Sequence, residues 1–137
     1  MDPQNLAYAL VQVVHNFGAV AVTGGAATAL LPLNAGAVVP RWLGGVVLAG
    51  WAMQIASGAG FGAISYVWYD KLPDIHGIAV AALGIKMVCA ASGVLLAAAY
   101  LRYAAGWSAT RCHNAWTGLL ALSATALAAA AFLRWFS

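Results

Sequence analysis

Residues 75–103 read IHGIAVAALGIKMVCAASGVLLAAAYLRY. The stretch is longer than the roughly 20 apolar residues that cross the hydrocarbon core of a bilayer, so it predicts a transmembrane helix. A charged residue, Lys86, lies near its middle. An unpaired charge at the centre of a bilayer costs about 2.5 to 3.5 kcal/mol on insertion scales. Lys86 is therefore expected to face a bundle interior, a partner or a pathway, and it is the first pointer to function.

The composition of the whole chain agrees with a membrane environment. Of the 137 residues, 64% are hydrophobic and 7% are charged, and the mean hydropathy is +0.88. No soluble domain of this size needs so much apolar surface. Four long apolar segments predict four transmembrane helices, over residues 6–31, 42–68, 75–103 and 115–136. Because the links between them are short, we expect an all-α fold, a four-helix transmembrane bundle with up-down-up-down topology, in a single domain spanning 1–137.

The basic residues outside the spans predict an orientation. Arg41, Arg102 and Arg111 fall at one face of the predicted bundle, while Lys71 and Arg134 fall at the other. Basic residues are in excess on the cytoplasmic side of membrane proteins. The excess of one basic residue places the three arginines in the cytoplasm and both chain termini outside.

Polar residues inside the spans predict a shared site. Lys86 lies on a stripe of small residues in the third helix, Gln12 and His15 share a stripe of the first, and Gln54 lies on a stripe of the second. At about 1.5 Å per residue, His15, Lys86 and Gln54 lie roughly 15, 18 and 20 Å from one end of the bundle. We therefore predict an intramembrane polar site of Lys86, Gln54, Gln12 and His15. Glutamine and histidine also hydrogen-bond neighbouring helices for purely structural reasons, and that alternative stays open.

Soft and borderline ligands are the second kind of candidate. Imidazole and thioether groups together suit Cu(I) better than hard ions. The candidate metal ligands on this basis are His15, His76, Met53 and Met87. Methionine in an apolar helix is more often core filler, which remains the alternative for both methionines.

Several other classes of function are disfavoured. The acidic residues Asp2, Asp70 and Asp74 are peripheral and have no base beside them in a predicted pocket, so we expect no enzyme. The scattered basic residues make no nucleic-acid patch.

Cys89 and Cys112 are separated by on the order of 20 Å along the bundle, too far for a disulfide.

Three segments share short motifs with a known family. The motif residues are Gly77, Lys86 and Tyr100-Leu101-Arg102 in the third helix, His15 and Thr23-Gly24-Gly25 in the first, and Arg41-Trp42-Leu43 and Ser57-Gly58 in the second. Together they resemble the copper resistance protein D (CopD) family. The third helix resembles the family pattern in its Gly-rich entry, its mid-helix lysine and its Arg-containing exit, the first resembles the family's His-to-Gly-Gly helix, and the second its basic entry and later Ser/Thr-Gly pair.

The resemblance implies a CopD-like protein for copper handling or transport in the inner membrane of a Gram-negative bacterium. With the orientation predicted from the basic residues, both termini are then expected in the periplasm. It implies copper as cofactor or cargo, with His15 and Lys86 matching the family pattern. Members of that family often carry a larger helix bundle, so four helices favour a homo-oligomer or a subunit of a larger membrane complex.

Two other functions remain open from the sequence. Inward histidines in a four-helix bundle also suit a membrane anchor of an electron-transfer complex that binds haem b or a quinone. However, His15 and His76 differ in depth by on the order of 10 Å, which fits a bis-histidine haem poorly. The other alternative is a non-catalytic accessory subunit that docks through its small-residue faces.

Overall fold

The residues that the structure describes form four long helices. A computed structural model describes residues 2–31, 39–71 and 73–136. The helices are α1 (Pro3–Ala29), α2 (Arg41–Tyr69), α3 (Ile78–Tyr103) and α4 (Ala109–Phe136), with a short 3-10 turn at Ala104–Gly106 between the last two, and no strand occurs in the described ranges. Each helix is long and apolar enough to cross a membrane. The predicted all-α, four-helix class is confirmed. The predicted turn between the first two helices falls mainly on residues 32–38, outside the described ranges.

The helix starts differ from the prediction by one residue at α2, by three at α1 and α3, and by six at α4. α3 begins at Ile78, three residues later than predicted. Gly77, just before it, has a φ of +52°, a conformation that does not belong to a right-handed helix and that glycine adopts readily. α4 begins at Ala109, six residues early. The hydroxyl oxygen of Ser108 accepts a hydrogen bond from the backbone N–H of Arg111 at 3.3 Å, as an N-cap does. The polar first turns of α4 hid this start in the hydropathy pattern.

The helices alternate in direction, which confirms the up-down-up-down topology. One end of the bundle, here called the terminal end, carries the start of α1, the end of α2, the start of α3 and the end of α4. There the side-chain amide of Gln4 donates to the hydroxyl of Tyr69 at 2.6 Å. The opposite end is called the loop end, where Arg41 Nη2 donates to the carbonyl of Leu101 at 2.7 Å. α1 packs most closely on α2, and α3 on α4, so the bundle consists of two hairpins.

Glycines set the closest helix contacts. A Cβ atom added at Gly50 of α2 would lie 2.9 Å from the Cβ of Ala21 and 3.1 Å from the carbonyl oxygen of Gly18, both on α1. Gly93 of α3 lies directly against the indole ring of Trp51. Small residues allow membrane helices to approach in this way. The predicted stripe of small residues on α3 is indeed buried, at Ala79, Ala82, Ala90, Gly93 and Ala97.

The apolar core is concentrated in one half of the bundle. Its main cluster lies between the middle of the membrane and the loop end, and it contains Val22, Ala26, Ala29, Leu43, Val47, Trp51, Cys89, Ala90, Ala97, Tyr100, Ala115, Trp116 and Leu119. Tyr100 and Trp116 meet edge to face with ring centroids 4.9 Å apart. Trp51, Trp116 and Leu119 are each 1% exposed. The loop-end half is therefore densely packed, which leaves the other half for polar side chains.

Candidate functional site

The centre of the candidate site is a contact between Lys86 and His15. Lys86 Nζ lies 2.9 Å from His15 Nε2, and this contact joins α3 to α1. Both side chains are partly buried. The rise per residue placed these two side chains at similar depth, and the structure brings them together. The side chain that contacts Lys86 in the middle of its helix is thus the imidazole of His15 and not a carboxylate.

A second hydrogen bond indicates which ring nitrogen of His15 carries the proton. His15 Nδ1 lies 2.7 Å from the hydroxyl oxygen of Ser57 on α2, and that hydroxyl donates to the carbonyl of Met53. The ammonium form of Lys86 donates to Nε2, so the ring proton is then on Nδ1 and donates to Ser57. All three hydrogen bonds run in one direction, from the ammonium group to a backbone carbonyl. His15 thus presents a lone pair to Lys86.

The two glutamines predicted for this site have different partners. The side-chain amide of Gln54 donates to the backbone carbonyl of His15, so it joins α2 to α1 at the predicted level. Gln12 instead donates to the side-chain oxygen of Asn16 at 2.7 Å, one turn along its own helix. Gln12 and Asn16 are both exposed, and both line the cavity described next. Gln12 therefore belongs to the rim of the site rather than to its centre.

A cavity of about 410 Å³ adjoins the Lys86–His15 contact. Its walls come mainly from α1 and α4, and its lining residues are Gln12, His15, Asn16, Ala19, Val22, Trp51, Gln54, Phe61, Lys86, Ser123, Ala126, Leu127, Ala130, Leu133 and Arg134. Gln12, Asn16, Leu127 and Arg134 are exposed, so the cavity opens between α1 and α4. The contact between these two helices is looser than within either hairpin.

The cavity has a positive electrostatic character. Its described lining contains the cations Lys86 and Arg134 and no Asp or Glu. An ammonium group has three hydrogen-bond donors. Among the described residues, His15 is the hydrogen-bond partner of Lys86. Two donors of Lys86 thus remain for water or for a bound molecule, and an electron-rich group is favoured over a cation.

The four predicted metal ligands are not brought together. Met53 packs beside α1, where a Cβ added at Gly18 would lie 3.1 Å from the Cβ of Met53. Met87 is 64% exposed on the outer surface of α3. His76 lies at the terminal end, 3.3 Å from Asp74, with its side chain 81% exposed. Within the described ranges, no three His, Cys, Asp or Glu residues form a group that could hold a metal ion.

Three residues that contribute to the site were not included in the predicted site. From the sequence, Ser57 was matched to the Ser/Thr-Gly pair of the family resemblance, although its spacing of three from Gln54 places both on one helix face. Asn16 lies four residues after Gln12, a spacing that brings two side chains on a helix together. Arg134 was predicted at the membrane surface, and the structure adds that it lines the cavity. Cys89 and Cys112 are both free cysteines in the structure.

Together these features define a class of protein: a multi-pass membrane protein whose four-helix bundle encloses a polar site at mid-depth. Comparison with known proteins adds no family, because no family model, no curated protein and no solved structure matches the chain.

Proposed function

We propose that this protein binds the head group of a quinone-type, lipid-soluble molecule in the cavity between α1 and α4, as a membrane component of an electron-transfer system. The observation that carries the proposal is the Lys86–His15 contact beside a cavity without an acid in its described lining. A quinone carbonyl accepts hydrogen bonds, and the ammonium group of Lys86 has two further N–H donors beside the one directed at His15. The charge of the ammonium group also favours the negative charge that a quinone gains on reduction.

The size and the walls of the cavity support the same ligand class. Sites for small molecules have volumes of about 300 to 1,000 Å³ and mostly apolar linings with a few polar groups. The cavity has about 410 Å³, and Val22, Phe61, Leu127 and Leu133 provide apolar walls. Its opening between α1 and α4 gives a path for a molecule that is dissolved in the bilayer.

Copper handling is the second candidate, and the proximity of α1 and α2 favours it. His15 Nδ1 bonds Ser57, whose hydroxyl bonds the carbonyl of Met53, so an imidazole and a thioether residue lie on adjoining helix turns. Cu(I) accepts both ligand types. To bind the metal through Nε2, however, His15 would have to give up its contact with Lys86. The same exchange would be needed for a haem iron, and the described histidines provide no second imidazole near His15.

The test is a titration of the purified protein in lipid nanodiscs with a short-chain quinone, followed by quenching of tryptophan fluorescence. A hydrogen bond to a charged group contributes about 1.5 to 3 kcal/mol, so Lys86→Met should weaken binding by about ten- to a hundred-fold. Lys86→Arg should retain part of the affinity. Lys71→Met is the matched control, because Lys71 is exposed outside the cavity and its removal should change nothing.

Two results would contradict the proposal. One is equal affinity of the wild type and Lys86→Met, and the other is equal binding of a ring compound with the same tail and no carbonyl. Metal analysis and a visible spectrum of the same preparation separate the alternatives. Copper without a Soret band would favour copper handling, and a haem spectrum would favour a haem protein.

A further inference from the structure

The two halves of the bundle differ in a way that the proposed ligand does not explain. Between mid-depth and the loop end, the interior is filled by the large side chains of the core, among which Val47, Trp51, Trp116 and Leu119 are at most 1% exposed. Between mid-depth and the terminal end, the buried side chains include the small Ser65, Ala79, Ala82 and Ala129, and the cavity extends through this half. The Lys86–His15 contact lines the cavity, and Val22 and Trp51 of the core line it as well.

The cavity extends along the bundle axis rather than across it. On α4 its lining runs from Ser123 to Arg134, and these residues are about 16 Å apart at 1.5 Å per residue. Arg134 is in the last turn of α4, at the terminal end. On α4 the lining therefore reaches from the last turn at the terminal end to about the middle of the helix.

Polar groups follow this path, which favours water inside it. Arg134 and Gln12 lie toward the terminal end, whereas Asn16, Lys86 and Gln54 lie deeper and close to one level. A buried water needs two to four polar partners and about 30 Å³ of space, so a volume of this size holds on the order of ten water molecules. Gln12 and Asn16 share one hydrogen bond, from the amide of Gln12 to the side-chain oxygen of Asn16. The side-chain oxygen of Gln12 and the other side-chain N–H groups of both residues take no part in this bond. Water would satisfy these groups, whereas acyl chains could not.

We propose that the cavity is a water-filled half-channel that connects Lys86 and His15 to the aqueous phase at the terminal end and is closed toward the loop end. Its cargo is water and, through water, protons. The aromatic and leucine side chains of the core form the closed end, with Trp51 seated against Gly93 as its first layer. The two proton-binding side chains thus exchange protons with one side of the membrane.

The test uses single cysteines on α4 in a protein whose two native cysteines are replaced by alanine. Ala126 and Ala130 line the cavity, whereas Ala128 lies between them in sequence, is exposed, and does not line it. The variants Ala126→Cys, Ala130→Cys and Ala128→Cys in oriented lipid vesicles are treated with a charged, membrane-impermeant thiol reagent. Because the reactive species is the thiolate, which forms in water, Ala126→Cys and Ala130→Cys should react on the order of ten-fold faster than Ala128→Cys.

Sidedness is measured by adding the reagent to one side at a time. Ala126→Cys should react from the side of the chain termini and not from the other side. Equal rates for Ala130→Cys and Ala128→Cys, or equal reaction of Ala126→Cys from both sides, would overturn the half-channel. Far-UV circular dichroism shows whether each variant keeps the helical fold.

A measurement on the unaltered chain covers the case in which the cysteine variants do not fold. In water-edited solid-state NMR of the protein in bilayers, magnetisation from water should reach the side chains of Lys86 and His15 faster than that of Leu119. Equally slow transfer to all three would also overturn the half-channel. No quinone is present in either experiment, so the half-channel and the proposed ligand can fail separately.

Discussion

Gly93 gives the sharpest test of the packing that closes the cavity, through the substitution Gly93→Ala. A Cβ at this position would lie 2.6 Å from both Cδ2 and Nε1 of Trp51, and it would approach Cε2 more closely still. Nonbonded carbon atoms are at their best separation at roughly 3.5 to 4.0 Å. The new methyl group would therefore lie about 0.9 Å or more inside that separation. Since Trp51 is 1% exposed, its ring has no free space at its present position.

The expected cost follows from two opposing effects. Overpacking of a well-packed core costs about 1 to 3 kcal/mol. Alanine in place of glycine within a helix gains about 0.5 to 1 kcal/mol. Gly84→Ala on the same helix isolates the second effect, because a Cβ at Gly84 meets nothing within 4 Å. Because the helix gain is common to both variants, the free energy of unfolding should be lower in Gly93→Ala than in Gly84→Ala by the overpacking cost alone, about 1 to 3 kcal/mol.

The assay is unfolding of the purified protein from mild detergent by titration with SDS, followed by far-UV circular dichroism. A smaller residue at position 51 should relieve the clash, so Gly93→Ala should cost much less in a Trp51→Leu background than in the wild type. Two results would refute the reasoning: equal stability of Gly93→Ala and Gly84→Ala, or the same cost of Gly93→Ala with and without Trp51.

Two further variants test other contacts. Gly50→Ala should lower the free energy of unfolding by about 1 to 3 kcal/mol relative to Gly45→Ala, because a Cβ at Gly50 meets α1 and one at Gly45 meets nothing within 4 Å; equal SDS midpoints would contradict the close α1–α2 packing. Ser57→Ala and His15→Ala should show a coupling of about 0.6 kcal/mol in a double-mutant cycle, because their side chains lie 2.7 Å apart; purely additive costs would rule out that hydrogen bond.

The helices and the meeting of Lys86 with His15 could be predicted from the sequence, and the physical reason is the same for both. The spans follow from the hydropathy of long segments, and the depth of a side chain follows from the fixed rise per residue of a helix. With short links the register between neighbouring helices has little freedom. That is why Lys86, His15 and Gln54 could be placed at one level before their contacts were known.

Other parts of the site depend on distances that the sequence pattern does not contain. The cavity exists because α1 and α4 lie further apart than the helices within each hairpin, and no periodicity encodes that separation. Gln12 was predicted to point at the centre of the site, but Asn16 lies within its reach on the same helix and takes its hydrogen bond. The roles proposed for His76, Met53 and Met87 stay predictions.

The Lys86–His15 contact also bears on the order in which the protein is assembled. It connects residues 71 positions apart, one in each hairpin. As the chain is synthesised, α1 and α2 enter the membrane first, and they carry His15, Ser57 and Gln54 with their mutual hydrogen bonds. α3 is inserted later and carries Lys86, whose charge is not solvated by hydrocarbon. His15 on the first hairpin is then already in place as its hydrogen-bond acceptor. The order of synthesis therefore places the hydrogen-bond acceptor in the membrane before the donor. The hydrogen bond of Lys86 to His15 then favours packing of the two hairpins against each other over their separation in the lipid.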